Sequence, residues 1–497
     1  MLLGLSAFAQ GTAGPAVSRV GRGNFLKIPV YETDGQPTVV NYCVDPSAGS
    51  DSSTCIGTTT NCCATPQGAL NKIPKLLRQQ VTVNLLAGNH PGFVISGFMA
   101  DNSVQQTTGG LLITGSLVNS TLASGSATGT ATGGTAGTAP TFGTLVDSGA
   151  TWTVNDLVGR FITTATPANV SFPIISNTGT SITIAGSWSA PTGSTTYAIQ
   201  DPSAIVTGVA VLAASPSVAA VTTRAAVVIG GNTVNYTSSA IQMTQLRLAN
   251  VSGAGLAIDD ASSFLFNVLQ IRPSAVSASG AFIGARSAGL TSTISFSKVD
   301  LSLNSPNNGL SVGGSSIGVS NSLLRNVQTS GVALQLGNGA FGANTLTNTF
   351  TGNEISGWST GVTFGRTTSN TGTFSNTRID CSAPTNGIVV GSNASGQFQP
   401  VSTVPNIDTT NITGCQTALQ AYGGSTVNVL AMTGSTNSNG FSALAGSQIS
   451  FLASGVTLTP GGAFALTVDA WVAANFSDLP AGSCLVSSPY GSRICAR

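Results

Sequence analysis

A unit of about 26 residues recurs between Gly255 and Gly462, and a fixed period of this size is the signature of a solenoid. Each unit is marked by a glycine followed by alternating apolar residues: Gly255-Leu-Ala-Ile, Gly280-Ala-Phe-Ile, Gly309-Leu-Ser-Val, Gly331-Val-Ala-Leu, Gly361-Val-Thr-Phe, Gly387-Ile-Val-Val, Gly440-Phe-Ser-Ala and Gly462-Ala-Phe-Ala. One unit lacks its glycine and reads Thr417-Ala-Leu-Gln-Ala. Within a unit lie two or three short runs of period-two alternation, such as Ile294-Ser-Phe-Ser-Lys-Val and Gln245-Leu-Arg-Leu-Ala, separated by Asn, Ser, Thr and Gly. That is strand and turn chemistry rather than helix chemistry.

Three short strands and three turns make one coil of a parallel β-helix, with coils stacked at about 4.8 Å. A single coil cannot bury its own apolar face, so stability comes from its neighbours. The expected fold is all-β: a right-handed parallel β-helix solenoid over residues 202–468. A β-sandwich array is the competing arrangement, and it would need antiparallel hairpins, for which Asn-Gly is the usual signal. Asn308-Gly309, Asn386-Gly387 and Asn439-Gly440 occur at the same point of the unit and at most once per repeat, which suits a coil corner better.

Charged residues are only 7% of the chain, against about 25% in an ordinary globular protein. Neutral hydroxyls and amides therefore cover the surface. With 41% apolar residues the chain has the means to fold. A net charge of +1 gives no nucleic-acid footprint, and no apolar run reaches the length of a membrane span. The eight cysteines fall in local groups: Cys43, Cys55, Cys62 and Cys63; Cys381 and Cys415; Cys484 and Cys495. An even count in local groups fits disulfides and an oxidising compartment. Zinc is the competing reading, but the spacings are not paired C-x2-C and His90 is the only histidine, so no metal is expected.

Before the repeat the chain divides into three parts. Residues 1–24 form a flexible segment, in which Leu2 to Ala9 is either a truncated signal peptide or a tail that reaches an assembly partner. Residues 25–117 form an N-terminal cap and first coils, since an open solenoid end exposes apolar residues and strand edges. Thr65 is placed to N-cap a helix starting at Pro66, with Ala69, Leu70, Ile73, Leu76 and Leu77 on one face; Pro74 ends or kinks it. Asn41-Tyr-Cys-Val-Asp-Pro-Ser-Ala-Gly-Ser-Asp51 followed by this helix, and then Val81-Thr-Val-Asn-Leu-Leu-Ala-Gly-Asn-His-Pro-Gly, resembles the entry of pectin-lyase-like β-helix proteins. Cys43 interrupts the Tyr-Val-Asp of that pattern.

Residues 118–201 are read as an inserted small β-module projecting from the shaft. Thr121 to Thr138 is a Gly/Ala/Ser/Thr tract read as a linker. Asp147-Ser-Gly-Ala-Thr-Trp152, Gly159-Arg160, Ser176-Asn-Thr-Gly-Thr-Ser-Ile-Thr183 and Tyr197-Ala-Ile199 resemble a module that recurs in phage tail and bacterial surface proteins. Trp152 and Trp188 either stack on sugar or fill the module's small core. Residues 469–497 form a C-terminal cap, in which Trp471, Phe476 and Leu479 plug the open end and Cys484 and Cys495 staple it.

The clearest polar feature is a series of charges, Arg247, Arg272, Lys298, Arg325, Glu354 and Arg378, that recurs at close to the coil period. Such intervals place them near one column, or partly on a neighbouring corner. Asp300 and Asp380 follow Lys298 and Arg378 by two positions. One reading is a basic groove for acidic polysaccharide, with Arg247, Arg272, Lys298, Arg325 and Arg378 as ligand-binding residues. The other is a solvated face on which the side chains splay. Asp300, Asp380 and Asp408 are the only catalytic candidates; Asp380 and Asp408, in successive coils, meet the spacing that glycoside hydrolysis needs. The hydrolase motifs of the pectin-lyase-like family are absent, and Asp259-Asp260 is the one adjacent acid pair. The resemblance implies a tailspike-like extracellular rod that recognises surface polysaccharide, on a virion or a bacterial cell surface, and a homotrimer. A secreted polysaccharide lyase or glycosidase and a purely structural shaft are the alternatives. No cofactor is expected, and calcium enters only for a lyase.

Overall fold

Parallel pairing between successive coils organises the molecule. The computed structural model describes residues 39–458 except short intervals, chiefly 101–109, 212–223, 231–240, 274–280, 285–292, 337–345, 365–369, 382–385 and 392–405, together with strands Ser18–Val20, Asn24–Leu26, Phe464–Leu466, Cys484–Ser487 and Ser492–Ala496. Most coils carry three strands; in the last described ones a single long strand, Thr426–Gly434 or Gln448–Leu458, spans the first and second faces. In one three-stranded coil the strands are Ser263–Asn267 on the first face, Gln270–Ile271 on the second and Ala281–Gly284 on the third. Each pairs in parallel with its counterpart in the next coil: Thr293–Ser297, Asp300–Leu303 and Leu310–Gly313. The chain is therefore a right-handed parallel β-helix.

Register turns sequence alternation into columns. On the first face Met243, Phe266, Phe296, Val319, Phe350, Phe374 and Ile407 pair one above another, and all are buried. Phe266 stacks on Phe296 with centroids 5.0 Å apart, and Phe350 on Phe374 at 4.5 Å. On the second face the inward column is Leu248, Ile271, Leu301, Leu324, Ile355, Ile379 and Ile412. The third face adds Ile229, Ile258, Val312 and Leu336. One continuous core runs through the coils.

The corner between the first and second faces is tight and has a fixed conformation. Gln245, Val268, Lys298, Asn321, Gly352 and Asn376 occupy it in successive coils, all with φ between 50° and 68°. This left-handed region is easy for glycine and tolerated by asparagine. The next residues turn inward, and where they are Ser322 and Asn353 they satisfy backbone across coils. Asn353, for example, accepts from Ser322 N and donates to Val319 O.

At the N-terminal end a helix spans Pro66–Lys72, Thr65 Oγ1 accepts from Gly68 N, and Ala69, Leu70 and Ile73 are buried. It ends before Pro74. Cys43 pairs with Cys62 and Cys55 with Cys63, while Cys381–Cys415 joins neighbouring coils. Cys484 and Cys495 face each other across an antiparallel strand pair. Within the segment expected to be a flexible tail, Ser18–Val20 pairs antiparallel with Asn24–Leu26. The signal-peptide region and Trp471, Phe476 and Leu479 lie outside the described residues.

The module begins at the same corner. Leu111–Thr114 is a first-face strand and Ala204–Val206 a second-face strand. Between them, where other coils have one left-handed residue, the chain runs out through Leu117–Asn119 and returns through Thr196–Pro202. The module is antiparallel, with Leu145, Trp152, Leu157, Ile162, Phe172, Ile174, Trp188 and Tyr197 in its own core. Both tryptophans are core residues: Trp152 Nε1 donates to Ser126 O and Trp188 Nε1 to Thr135 O. The tract read as a linker carries strands Thr128–Thr130 and Gly133–Thr135. Its small residues are required by contact, since a Cβ on Gly129 would lie 2.4 Å from Tyr197 Oη and one on Gly134 2.4 Å from Pro191 Cγ.

Phe374 is fully buried against Phe350 and Phe364. Truncation of Phe374 to Ala is expected to cost about 3–5 kcal/mol, measured as a lowered urea midpoint with the coil's far-ultraviolet β signal retained at low denaturant.

Candidate functional site

The outer side of the second face is where the chain spends its charges. Two outward columns run along it. The first is Arg247, Gln270, Asp300, Leu323, Glu354, Arg378 and Asn411. The second, two residues further along each strand, includes Ser302, Arg325, Ser356, Asp380 and Thr413; Arg272 likewise follows Gln270 by two. The six charges expected near one column, or partly on a neighbouring corner, are thus divided. Arg247, Glu354 and Arg378 share the first, Arg272 and Arg325 follow the second, and Lys298 sits at the left-handed corner.

The module does not project from the shaft; it lies along this face. At its base Asp201 is the hub. Its Oδ1 accepts from Arg247 Nη2 at 3.0 Å and Gln270 Nε2 at 2.8 Å, and its Oδ2 from Ser120 Oγ at 2.7 Å and Arg160 Nη1 at 3.0 Å. Gly159 O accepts from Gln270 Nε2 at 2.9 Å and Arg272 Nη2 at 2.6 Å. Arg272 Nε in turn donates to Asp300 Oδ2 at 2.7 Å, and Ser302 Oγ donates to Asp300 Oδ1. Further along, Phe142, Ile175 and Ala185 of the module pack on Leu323, and Lys298 Nζ lies 5.0 Å from the Phe172 ring centre. At the far end Arg378 stacks 5.2 Å over Phe142 while Glu354 holds it by two hydrogen bonds, of 2.7 and 2.8 Å.

Electrostatics follow from burial and pairing. Burial alone would raise the Asp201 carboxyl, but hydrogen bonds from Ser120 and Gln270 and the cations Arg247 and Arg160 hold it below the usual range. Burial lowers Arg247, aided by Arg272 beside it. Arg272 is pulled down by burial, but Asp300 more than offsets this and raises it. Glu354 is 3% exposed, and burial pushes it up to about 7 against the pull of Arg378.

The sequence candidates therefore take different fates. Arg247 and Arg272 are committed to the module seam, Asp300 is fully buried between Arg272 and Ser302, and Lys298 covers Phe172. None of these four lines an open groove. Asp380 is exposed, beside the half-buried Arg378. Asp408 pairs through its backbone with Ser375 on the first face, whereas Asp380 pairs with Thr413 on the second, so the two are not stacked neighbours in register; the Asp408 side chain, like that of Asp259 and all of Asp260, lies outside the described residues. Asp201 and Gln270 carry no motif in the sequence, and Gly159-Arg160 stands there only as part of the module's pattern, not as a site. Their one signal is position, since Asp201 closes the module's last strand just before the shaft resumes. Among the described residues no group of three or more His, Cys, Asp or Glu could hold a metal ion, and no helix is long and apolar enough to cross a membrane.

Fold and site together define a β-helix rod with an antiparallel module strapped to one face. No protein-family model matches the sequence, and no curated protein matches it. Among solved structures it is similar to the tailspike protein gp49 of Acinetobacter baumannii bacteriophage Fri1, a capsular polysaccharide depolymerase, at 9% identity and TM-score 0.30, over 82% of this chain and 61% of that one. It is similar also to XylC in complex with xylose, at 9% identity and TM-score 0.30 over 86% and 71% of the two chains. A third is the catalytic unit of the GH87 α-1,3-glucanase from Streptomyces thermodiastaticus strain HF3-3, at 11% and 0.29 over 71% and 91%. The chain thus spans less than two thirds of the length of the first. At these values the likeness carries nothing about the site, and the fold rests on the strand register above.

Two outcomes test the seam. Gly159 has φ +81°, and a Cβ there would lie 2.5 Å from Arg272 Nη2 and 2.8 Å from Asp300 Oδ1. Gly159→Ala is expected to cost about 1–3 kcal/mol and to raise amide exchange in the module's docked strands, with the coils unaffected. The second concerns pH. Glu354 holds its proton more tightly folded than unfolded, so its contribution to stability is greatest below pH 4.5 and declines as pH rises towards about 7, levelling above. The decline is on the order of 3 kcal/mol, and Glu354→Gln should flatten it in pH-dependent denaturation. Asp201 acts in the opposite sense, its stabilisation being lost as pH falls through its depressed value, below the window of Glu354.

Proposed function

We propose that the chain is an extracellular, adhesive rod that recognises surface polysaccharide through the part of the second face that the module leaves uncovered. The observation that carries this reading is the column Arg325, Ser356 and Asp380, with Arg378 at its side. It is a row of hydrogen-bonding groups on a rigid sheet, each about 4.8 Å from the next. A polymer with repeating hydroxyls suits such a row, because backbone pairing sets the spacing in advance and little ordering cost falls on binding. The low overall charge limits non-specific attraction, and the three disulfides fit an oxidising location such as the outside of a cell or a virion. A homotrimer belongs to this proposal, and light scattering of the purified chain tests it.

An enzymatic reading has weaker support. Glu354, raised to about 7, would suit an acid at neutral pH, with Asp380 in the next coil as its partner. However, both oxygens of Glu354 are held by Arg378 and the side chain is buried, which keeps it from a substrate. The test is retention of labelled bacterial surface polysaccharides on the immobilised chain. Retention is expected, weakened about tenfold by Asp380→Ala, with no new reducing ends released. No retention of any polysaccharide would overturn the reading. Release of reducing ends, lost in Asp380→Asn, would move the chain to the enzymes.

A further inference from the structure

Four of the five arginines at the seam have a carboxylate within 3.0 Å: Arg160 and Arg247 share Asp201, Arg272 has Asp300, and Arg378 has Glu354. Arg325 has none among the described residues. Its Nε is buried and has no hydrogen-bond partner. The reason is local. Its column neighbours in the coils below and above are Ser302 and Ser356, which offer hydroxyls but no charge. The nearby carboxylate, Asp300, is already taken on both oxygens, Oδ2 by Arg272 and Oδ1 by Ser302. Asp380 lies in the same column two coils away, about 10 Å at the strand spacing, and makes no ion pair with Arg325 among the described residues. Leu323, two residues before Arg325, is covered by Phe142 and Ile175, and Arg325 itself is half-buried.

A half-buried guanidinium with an unmet donor is costly, and the group that meets it best is a planar carboxylate, which accepts two parallel hydrogen bonds. We propose that Arg325 is an anion subsite that takes the carboxylate of an acidic sugar, with Ser302 and Ser356 flanking it. The inference rests on the polysaccharide reading for its biological meaning, but not for its chemistry. Of the cations first grouped as a basic groove, it selects one: the others on this face are matched by the protein's own carboxylates or, for Lys298, by the Phe172 ring.

The experiment uses the full chain and two probes, an oligomer of glucuronate and the same oligomer with its carboxyls reduced to alcohols. Calorimetry is expected to show the acidic form bound at least tenfold more tightly. Arg325→Gln should abolish that preference, and Arg325→Lys, which keeps the charge but not the paired donors, should restore part of it. Glucuronate should also shift the Arg325 Nε–H resonance in the wild-type chain, a readout that a purely structural arginine would not show. Equal affinity for the two oligomers, or a preference that survives Arg325→Gln, overturns the subsite. If the reduced oligomer is held without acidic preference, the subsite falls and the polysaccharide reading stands. If glucuronate alone binds through Arg325 while no polymer is retained, the subsite stands and the wider reading falls.

Discussion

Everything in this molecule depends on coil-over-coil parallel register. A one-residue slip would carry the Phe266–Phe296–Val319–Phe350–Phe374 column from the core to the surface. The apolar columns enforce the register, and the left-handed corner residues Gln245 to Asn376 bring each coil round to the same point. Once register is set, any outward side chain becomes a member of a column at strand spacing. That is how a chain with so few charges can gather several of them, from Arg247 to Asp380, along one face.

The seam shows what those charges are for. A module inserted at one early corner has to lie against a polar sheet face, and burying polar groups there is unfavourable unless each is paired. Asp201 meets two arginines, a glutamine and a serine, while Gly159 O takes two donors. Removing one member would strand the rest in a low-dielectric interface, which costs more than the pair contributes when intact. Beyond the polar base the contact becomes apolar at Leu323 and ends in the Arg378–Phe142 stack. Arg325, in the coil between the Arg272–Asp300 and Arg378–Glu354 pairs, is left without a carboxylate partner among the described residues.

Much of this was legible beforehand. Alternation and period gave the three-stranded coil, and Thr65-Pro66 marked the helix start. Spacing alone left column and corner open: Lys298 follows Arg272 by one coil period, and it occupies a corner rather than a strand column, because the loops between faces vary in length. The tract 121–138 looked like a linker because strands built of Gly, Ala and Thr carry no apolar alternation; their need for small residues comes from Tyr197 and Pro191, which approach from elsewhere in the chain.

The sequence by itself determined the repeat, the inward columns and the capping helix, since these depend on local alternation and on neighbours one coil period away. Only the tertiary structure decided which charge faces which. The shaft partners of Gly159 and Asp201 lie 46 to 113 residues off in the chain, and no local pattern encodes where an inserted domain comes to rest. The assignment of Arg247 and Arg272 to a seam follows from that docking.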